Sequence, residues 1–517
     1  MRRSNDFSGG ETMQRAAHGT RLFFGRMLRS IPVVALLVAS AFTRAAAPDF
    51  AAIGAYIEAQ RVAEHIPGMA VAIVGGDGTV YVSGFGRADE SGRTVASNTP
   101  FILGSTSKSF TALAVMQLVE ARRIDLDAPV QRYLPWFRVA DETASAAITV
   151  RELLNQTSGL STAAGRATLT DFSSGDDALE NRVRGLSTVA LTAPVGTTYQ
   201  YSNCNYQTLG MIVQQVSGQS FETYVAEHVF APLAMNHTYT SKEAAIPAGL
   251  ASGHQTWFGR PVPFDEPVPR ASVPQGFVIS TAQDLAHYLY AQLNDGRYGD
   301  AVVLSSNGLA ELHKGTARIG DSDTYYAMGW NAGTVDGQRA VWHEGDTFGF
   351  QSFLVVLTDD RWGVAVMANR NAIPANGRFE EIAFGIASMV VGGTPKTEHV
   401  RDATLVYTVF VGLVVVQLLG MARTVTLLRR WQRDPSSRPH GAAATLARIA
   451  LPSTLNLLWA ALVFVALPGM FAPIRTLTWA VPDIGYLLLV SGAIALVWCA
   501  TRLWLVRRLP LGAKPLR

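Results

Sequence analysis

The sequence predicts an α+β globular domain followed by three transmembrane helices, on three observations. β-rich runs stand near both ends of a globular stretch from about Ala51 to Gly393, with helical periodicities between them. Strands so placed share one antiparallel sheet. The C-terminal part carries three long uncharged apolar runs, and the 517-residue chain is 48% hydrophobic, high for a soluble protein.

Taken in order, the N-terminus supplies Arg2, Arg3, Arg15, Arg21, Arg26 and Arg29, then the apolar run Ile31–Phe42, then "TRAAAPDF". A basic region, a short apolar run and small residues predict a secretory signal over 1–47, with a signal anchor as the alternative because Pro48 disfavours a cut just after Ala47. In "MAVAIVGGDGTVYVSGFG" two β-rich runs flank Gly76-Asp77-Gly78, a hairpin signal. The Phe101–Arg123 segment is helical, and helical patterns follow at Tyr206–Val216, Phe221–Val229 and Ala282–Leu293, the last behind a capping Ser280/Thr281 with Asp284. Strands return at Ala340–His343, Gln351–Thr358 and Trp362–Ala368. The expected domain therefore runs over 48–396.

From 397 to 517 a membrane domain is expected, with helices at about 403–422, 449–471 and 484–503. Arg423, Arg429, Arg430, Arg433 and Arg438 follow the first run, and Arg502, Arg507, Arg508, Lys514 and Arg517 end the chain. The positive-inside rule places both clusters in the cytoplasm and the globular domain on the extracytoplasmic side of a cell membrane. No ionisable residue interrupts the runs, so they read as an anchor in the bilayer rather than a transport path.

The formal net charge is +3, which argues against a nucleic-acid surface. Cys204 and Cys499 lie too far apart in character, one in the globular stretch and one in an apolar run, for a disulfide or a metal-ligand spacing.

Chemistry concentrates in "LGSTSKSFTALAVMQLVE" (Leu103–Glu120), which is apolar on nearly every face yet holds Lys108 in its first turn, three residues after Ser105. The chain has only five lysines among 43 basic residues. One helical turn brings positions i and i+3 onto one face. The helix N-terminus stabilises an alkoxide at Ser105, while burial and the dipole both drive a proton off Lys108. An ordinary lysine titrates near 10.4, too high for a base at neutral pH, so such placement makes it one. The spacing also suits a capping serine followed by a snorkelling lysine.

Two further stretches add partners. Tyr201-Ser202-Asn203 precedes a helical pattern, so it sits on a turn where a phenol can act as base or proton shuttle and Asn203 can meet substrate or Lys108. His343-Glu344-Gly345 ends a short strand. Gly345 permits close approach, and the N–H of Asp346 with that of Ser105 would form an oxyanion hole. His343, on the strand face of Gly345, is expected to reach substrate or the tyrosine, with Glu344 alternating away.

Ser105-x-x-Lys108, Tyr201-x-Asn203 and His343-x-Gly345, in that order, resemble the serine β-lactamase and penicillin-binding-protein superfamily, closest to the class C β-lactamase-related serine hydrolases. Supporting stretches are "LLNQTSGL", "STAQDLAHYL" and "YAMGW", and the likeness covers roughly residues 50–390. The resemblance implies an antiparallel sheet flanked by helices plus a mainly helical lobe, with the site between them, and acyl-enzyme chemistry without a metal or other cofactor. Carried over, Ser105 is the nucleophile, Lys108 and Tyr201 form the base system and Asn203 positions substrate. His343 stands where true β-lactamases carry the lysine of a Lys-Thr-Gly strand, and Gln156 where relatives often have histidine. A mostly neutral histidine serves a substrate carboxylate poorly, which favours esters or amides lacking that group.

The expected function is a membrane-anchored serine hydrolase acting on a small-molecule or peptide ester, amide or β-lactam. The alternative is a non-catalytic or acylated receptor of cell-wall fragments or β-lactams that signals through its membrane helices. An α/β-hydrolase lacks its Gly-x-Ser-x-Gly elbow here, and Thr347 replaces the second histidine of a zinc His-Glu-x-x-His.

Overall fold

Strand Gly68–Gly75 sits inside an eight-stranded antiparallel sheet, between Val80–Gly86 and the late strand Trp362–Ala368. The sheet continues through Gln351–Leu357, Gln338–Asp346, Asn331–Val335, Tyr325–Tyr326 and Ala317–Arg318. The computed structural model describes residues 47–372, 376–395, 403–437 and 442–508. The expected signal segment lies outside these apart from Ala47, as do Arg438, Lys514 and Arg517.

The turn at Gly76–Thr79 joins the first two strands in the expected hairpin, and Gly78 takes φ +89°, a left-handed value open to glycine. Strand Gly68–Gly75 is buried along its whole length because both sheet faces are covered. Side chains alternate between them: Ala70, Ala72 and Val74 meet one core with Phe110, Leu285 and Leu289. Met69, Val71 and Ile73 meet the other with Ile53, Ile57, Ile382 and Ile386. The helices Phe50–Ala63 and Asn376–Val390 thus close the outer face, and the helical lobe closes the inner one.

Helix Ser107–Glu120 runs through the inner core with Phe110, Leu113, Val115 and Met116 all buried, as its all-round apolar character requires. Its N-terminus is preceded by a 3₁₀ turn, Gly104–Thr106, rather than starting at Ser105 itself. In such a turn residues three apart eclipse, so Ser105 and Lys108 still lie one above the other. The helices Asn203–Ser217 and Ala282–Leu293 occupy the expected stretches, and the Thr281 side chain caps the latter by accepting from the Asp284 N–H.

Three C-terminal helical stretches, Thr404–Arg433, Ala447–Met470 and Pro482–Leu505, are long and apolar enough to cross a membrane. They contact one another through the polar Ser491, whose hydroxyl accepts from Trp459 Nε1 at 3.0 Å and whose carbonyl accepts from Gln417 Nε2 at 3.2 Å. A short helix, Ile474–Ala480, fills the connection between the second and third.

Candidate active site

Gly104 makes the geometry around Ser105 possible. It holds φ +59°, and a Cβ there would stand 2.6 Å from the Asp346 backbone nitrogen and 2.7 Å from the Gly345 carbonyl carbon. A Cβ on Gly345 would in turn overlap the Leu103 carbonyl oxygen and Ser352 Oγ. The end of strand Gln338–Asp346 is thereby pressed against the turn that presents Ser105. Thr106 and Ser352 reinforce this junction, their hydroxyls 2.9 Å apart, with Thr106 also donating to the Leu103 carbonyl.

Lys108 is fully buried. Its Nζ lies 2.9 Å from Ser105 Oγ, 3.0 Å from Asn203 Oδ1 and 2.6 Å from the Gln275 carbonyl oxygen. It also stands 4.7 Å from the centre of the Tyr201 ring. Burial holds its pKa well below the ordinary lysine value, opposed by the charge of Glu344. A neutral amine has two N–H donors and one lone pair. Asn203 Oδ1 and the Gln275 carbonyl are pure acceptors and take the donors, which leaves the lone pair to accept the Ser105 hydroxyl.

Tyr201 lies on the turn just before helix Asn203–Ser217. Burial, reinforced by the Glu344 charge, raises its pKa well above that of free tyrosine, while a side-chain hydrogen bond with Ser105 works the other way. The turn is tied down by Gln156, which takes φ +60° and is fully buried. Its Oε1 accepts from the Ser202 N–H at 2.9 Å and from Asn205 Nδ2 at 2.5 Å.

A cavity of about 490 Å³ opens over Ser105, Tyr201 and Asn203. Asp346 and Glu344 line it, as do Glu266 and Gln275, which the sequence reading did not single out. Glu266 is buried, and its carboxylate accepts from the Thr347 hydroxyl and the N–H groups of Phe348 and Gly349. Desolvation pushes its pKa up to about 7 despite those bonds, and the protein around the cleft mouth pushes Asp346 up to about 6 although the residue is exposed. Gln275 is 2% exposed, and its Nε2 is buried with no hydrogen-bond partner among the described residues. Neither residue belongs to a spaced motif, so only the fold brings them here.

Of its two expected partners, His343 meets the tyrosine and not the cavity wall. It is fully buried and is not among the residues that line the cavity. Its Nδ1 lies 2.5 Å from the Glu344 carbonyl and its Nε2 3.3 Å from the Tyr326 hydroxyl. The Nδ1–H tautomer satisfies both, and burial lowers its pKa, keeping it neutral. Its ring packs 6.1 Å from that of Tyr201, behind the tyrosine. Glu344, expected to turn away, instead borders the cavity, held by Asn331 Nδ2 at 3.0 Å.

The opposite wall is unforeseen. Phe471, Ala472, Thr476, Leu477, Ala480 and Val481, from the connection between the second and third apolar helices, face the same cavity.

A family model described as Beta-lactamase matches residues 53–383. Penicillin-binding protein 4 of Amycolatopsis lactamdurans is 33% identical over 321 residues, covering 60% of this chain and 83% of that protein. Protein flp of Staphylococcus aureus (strain MW2) is 30% identical over 325 residues, 60% of each chain, so the match spans well under two thirds of its length. Among solved structures, the octameric penicillin-binding protein homologue from Pyrococcus abyssi superposes with a TM-score of 0.58 at 26% identity, covering 68% of this chain and 79% of that one. A class C beta-lactamase superposes with a TM-score of 0.56 at 20% identity, covering 65% and 94%, a likeness of fold.

Proposed function

Because the chain belongs to the beta-lactamase family, we propose that it is a membrane-anchored serine hydrolase that forms an acyl-enzyme on Ser105 and cleaves an ester or amide outside the cytoplasm. The observation that carries this is the fully buried Lys108 amine 2.9 Å from Ser105 Oγ.

In the first half-reaction Lys108 takes the Ser105 proton as Oγ attacks the carbonyl carbon. The N–H groups of Ser105 and Asp346 receive the developing oxyanion. The bond to the leaving alcohol or amine breaks, and that group departs with a proton relayed through Lys108 and Tyr201. Water then attacks the acyl carbon, the same base takes its proton, and Ser105 is released with the carboxylic acid product. Asn203 and Gln275 hold Lys108 in place.

Three carboxyl groups, Glu266, Glu344 and Asp346, line the cavity, against the guanidinium of Arg166. With His343 buried and neutral, this favours substrates without a carboxylate beside the scissile bond, whether esters or amino-peptide amides, over penicillin-like anions. The arginines at the end of the first apolar helix, among them Arg429, Arg430 and Arg433, support a cytoplasmic position for that end and an extracytoplasmic hydrolase domain.

A receptor that becomes acylated and signals through its helices is the second reading, favoured by the membrane connection that walls the cavity. Steady turnover of p-nitrophenyl esters by the full chain, abolished in Ser105→Ala, supports the hydrolase. A single stoichiometric burst without turnover supports the receptor.

A further inference from the structure

The helix Ile474–Ala480 is docked onto the hydrolase domain rather than hanging from its membrane helices. Gln255 Nε2 donates to the Trp479 carbonyl at 2.6 Å, and the Phe258 N–H donates to Asp483 Oδ2 at 2.7 Å. The Trp479 ring packs against Phe172, Phe264 and Phe348 at 4.7, 5.6 and 5.6 Å between centres. Thr476 and Asp483 are 3% and 2% exposed. Fixed this way, the helix turns Leu477, Ala480 and Val481 toward the cavity that holds Ser105. Both ends of the connection enter stretches long and apolar enough to span a membrane.

An aliphatic wall beside a nucleophile gains nothing from a small polar substrate, whereas an apolar chain laid on it leaves water. We infer that this site takes a bilayer-borne amphiphile, an ester or amide whose acyl part is an apolar chain lying against Leu477, Ala480 and Val481. The acyl part is the one named because it stays on Ser105 through both half-reactions and so uses a fixed wall twice. This rests on the serine-hydrolase proposal above, and it makes the connection between membrane helices part of the substrate site.

The test uses the full chain reconstituted in phosphatidylcholine vesicles, with p-nitrophenyl acetate, butyrate and octanoate. Each methylene fully buried is worth about fourfold in binding, so a chain engaged over part of its length should raise kcat/KM at least tenfold from acetate to octanoate. Ala480→Trp, which fills the wall, and Leu477→Ser, which makes it polar, should each lower the octanoate-to-acetate ratio at least fivefold. The octanoate rate should follow ester per lipid rather than ester per volume of water. Ser105-dependent turnover with a ratio near one, or a ratio unchanged in both variants, would overturn the apolar-chain inference and leave the hydrolase standing. Octanoate rates that follow aqueous concentration would overturn the bilayer source. No Ser105-dependent turnover of any ester would overturn the hydrolase proposal and this inference together.

Discussion

Lys108 Nζ stands within hydrogen-bond distance of Ser105 Oγ, while the Gln275 carbonyl on the facing segment accepts from the same amine at 2.6 Å. The lysine is therefore shared between the element that carries Ser105 and the one across the cleft, and in the proposed reaction its proton balance decides whether Ser105 attacks.

Removing the amine tests this directly. Lys108→Ala is expected to slow acylation by about 10²–10⁴-fold, the range for a positioned proton acceptor. Tyr201→Phe is expected to lose at least about tenfold while keeping the fold, since its ring packing against Tyr326 and His343 survives. Stopped-flow burst kinetics with a p-nitrophenyl ester, alongside circular dichroism, separates rate from folding.

The pH profile follows from the direction of the Lys108 shift. Only the neutral amine accepts the serine proton, and burial lowers its pKa. Acylation should thus rise with pH through a midpoint well below the ordinary lysine value of 10.5 and plateau above it. Lys108→Arg, which stays protonated, should be inactive throughout. Asp346, pushed up to about 6, adds its own ionisation to the profile, and Asp346→Asn should remove any titration that it contributes.

In the proposed hydrolase, charge in the cleft sets selectivity. Like charges about 8 Å apart at an effective dielectric of about 20 repel by about 2 kcal/mol. Glu344→Gln should therefore raise kcat/KM for a carboxylate-bearing substrate such as nitrocefin by about 30-fold relative to a neutral ester. Paired kinetics on the two substrates reports the ratio.

Gly104→Ala should be poorly tolerated. It places a Cβ 2.6 Å from the Asp346 nitrogen at φ +59°, with a cost of about 1–3 kcal/mol for the backbone alone. Because the clash lies between Ser105 and the Asp346 N–H, acylation should fall along with the melting temperature. Thermal unfolding and burst amplitude measure the two.

Much of this was legible in the sequence for a local reason. Ser105 and Lys108 are three residues apart, so any helical turn brings them together, and the hairpin at Gly76–Thr79 and the cap at Thr281 are likewise short-range. The burial of His343 was not legible: strand alternation assigns faces, but Tyr326, on another strand, closes over its Nε2. Glu344 does alternate away from His343 and Gly345, but the cavity lies on its side of the strand, where an Asn331 hydrogen bond holds it. Glu266, Gln275 and the Phe471–Val481 wall come from distant segments with no periodicity or spacing to mark them. Reading the C-terminal runs as an anchor alone missed that their connection borders the cleft.

The most direct measurement is peptide-mapping mass spectrometry of the full chain quenched within seconds of exposure to an activated ester. An acyl mass increment on Ser105 is expected in the wild type and none within the same interval in Lys108→Ala. Equal labelling of both, or an increment on another residue with Ser105 unmodified, would contradict the claim that the buried lysine makes this serine reactive.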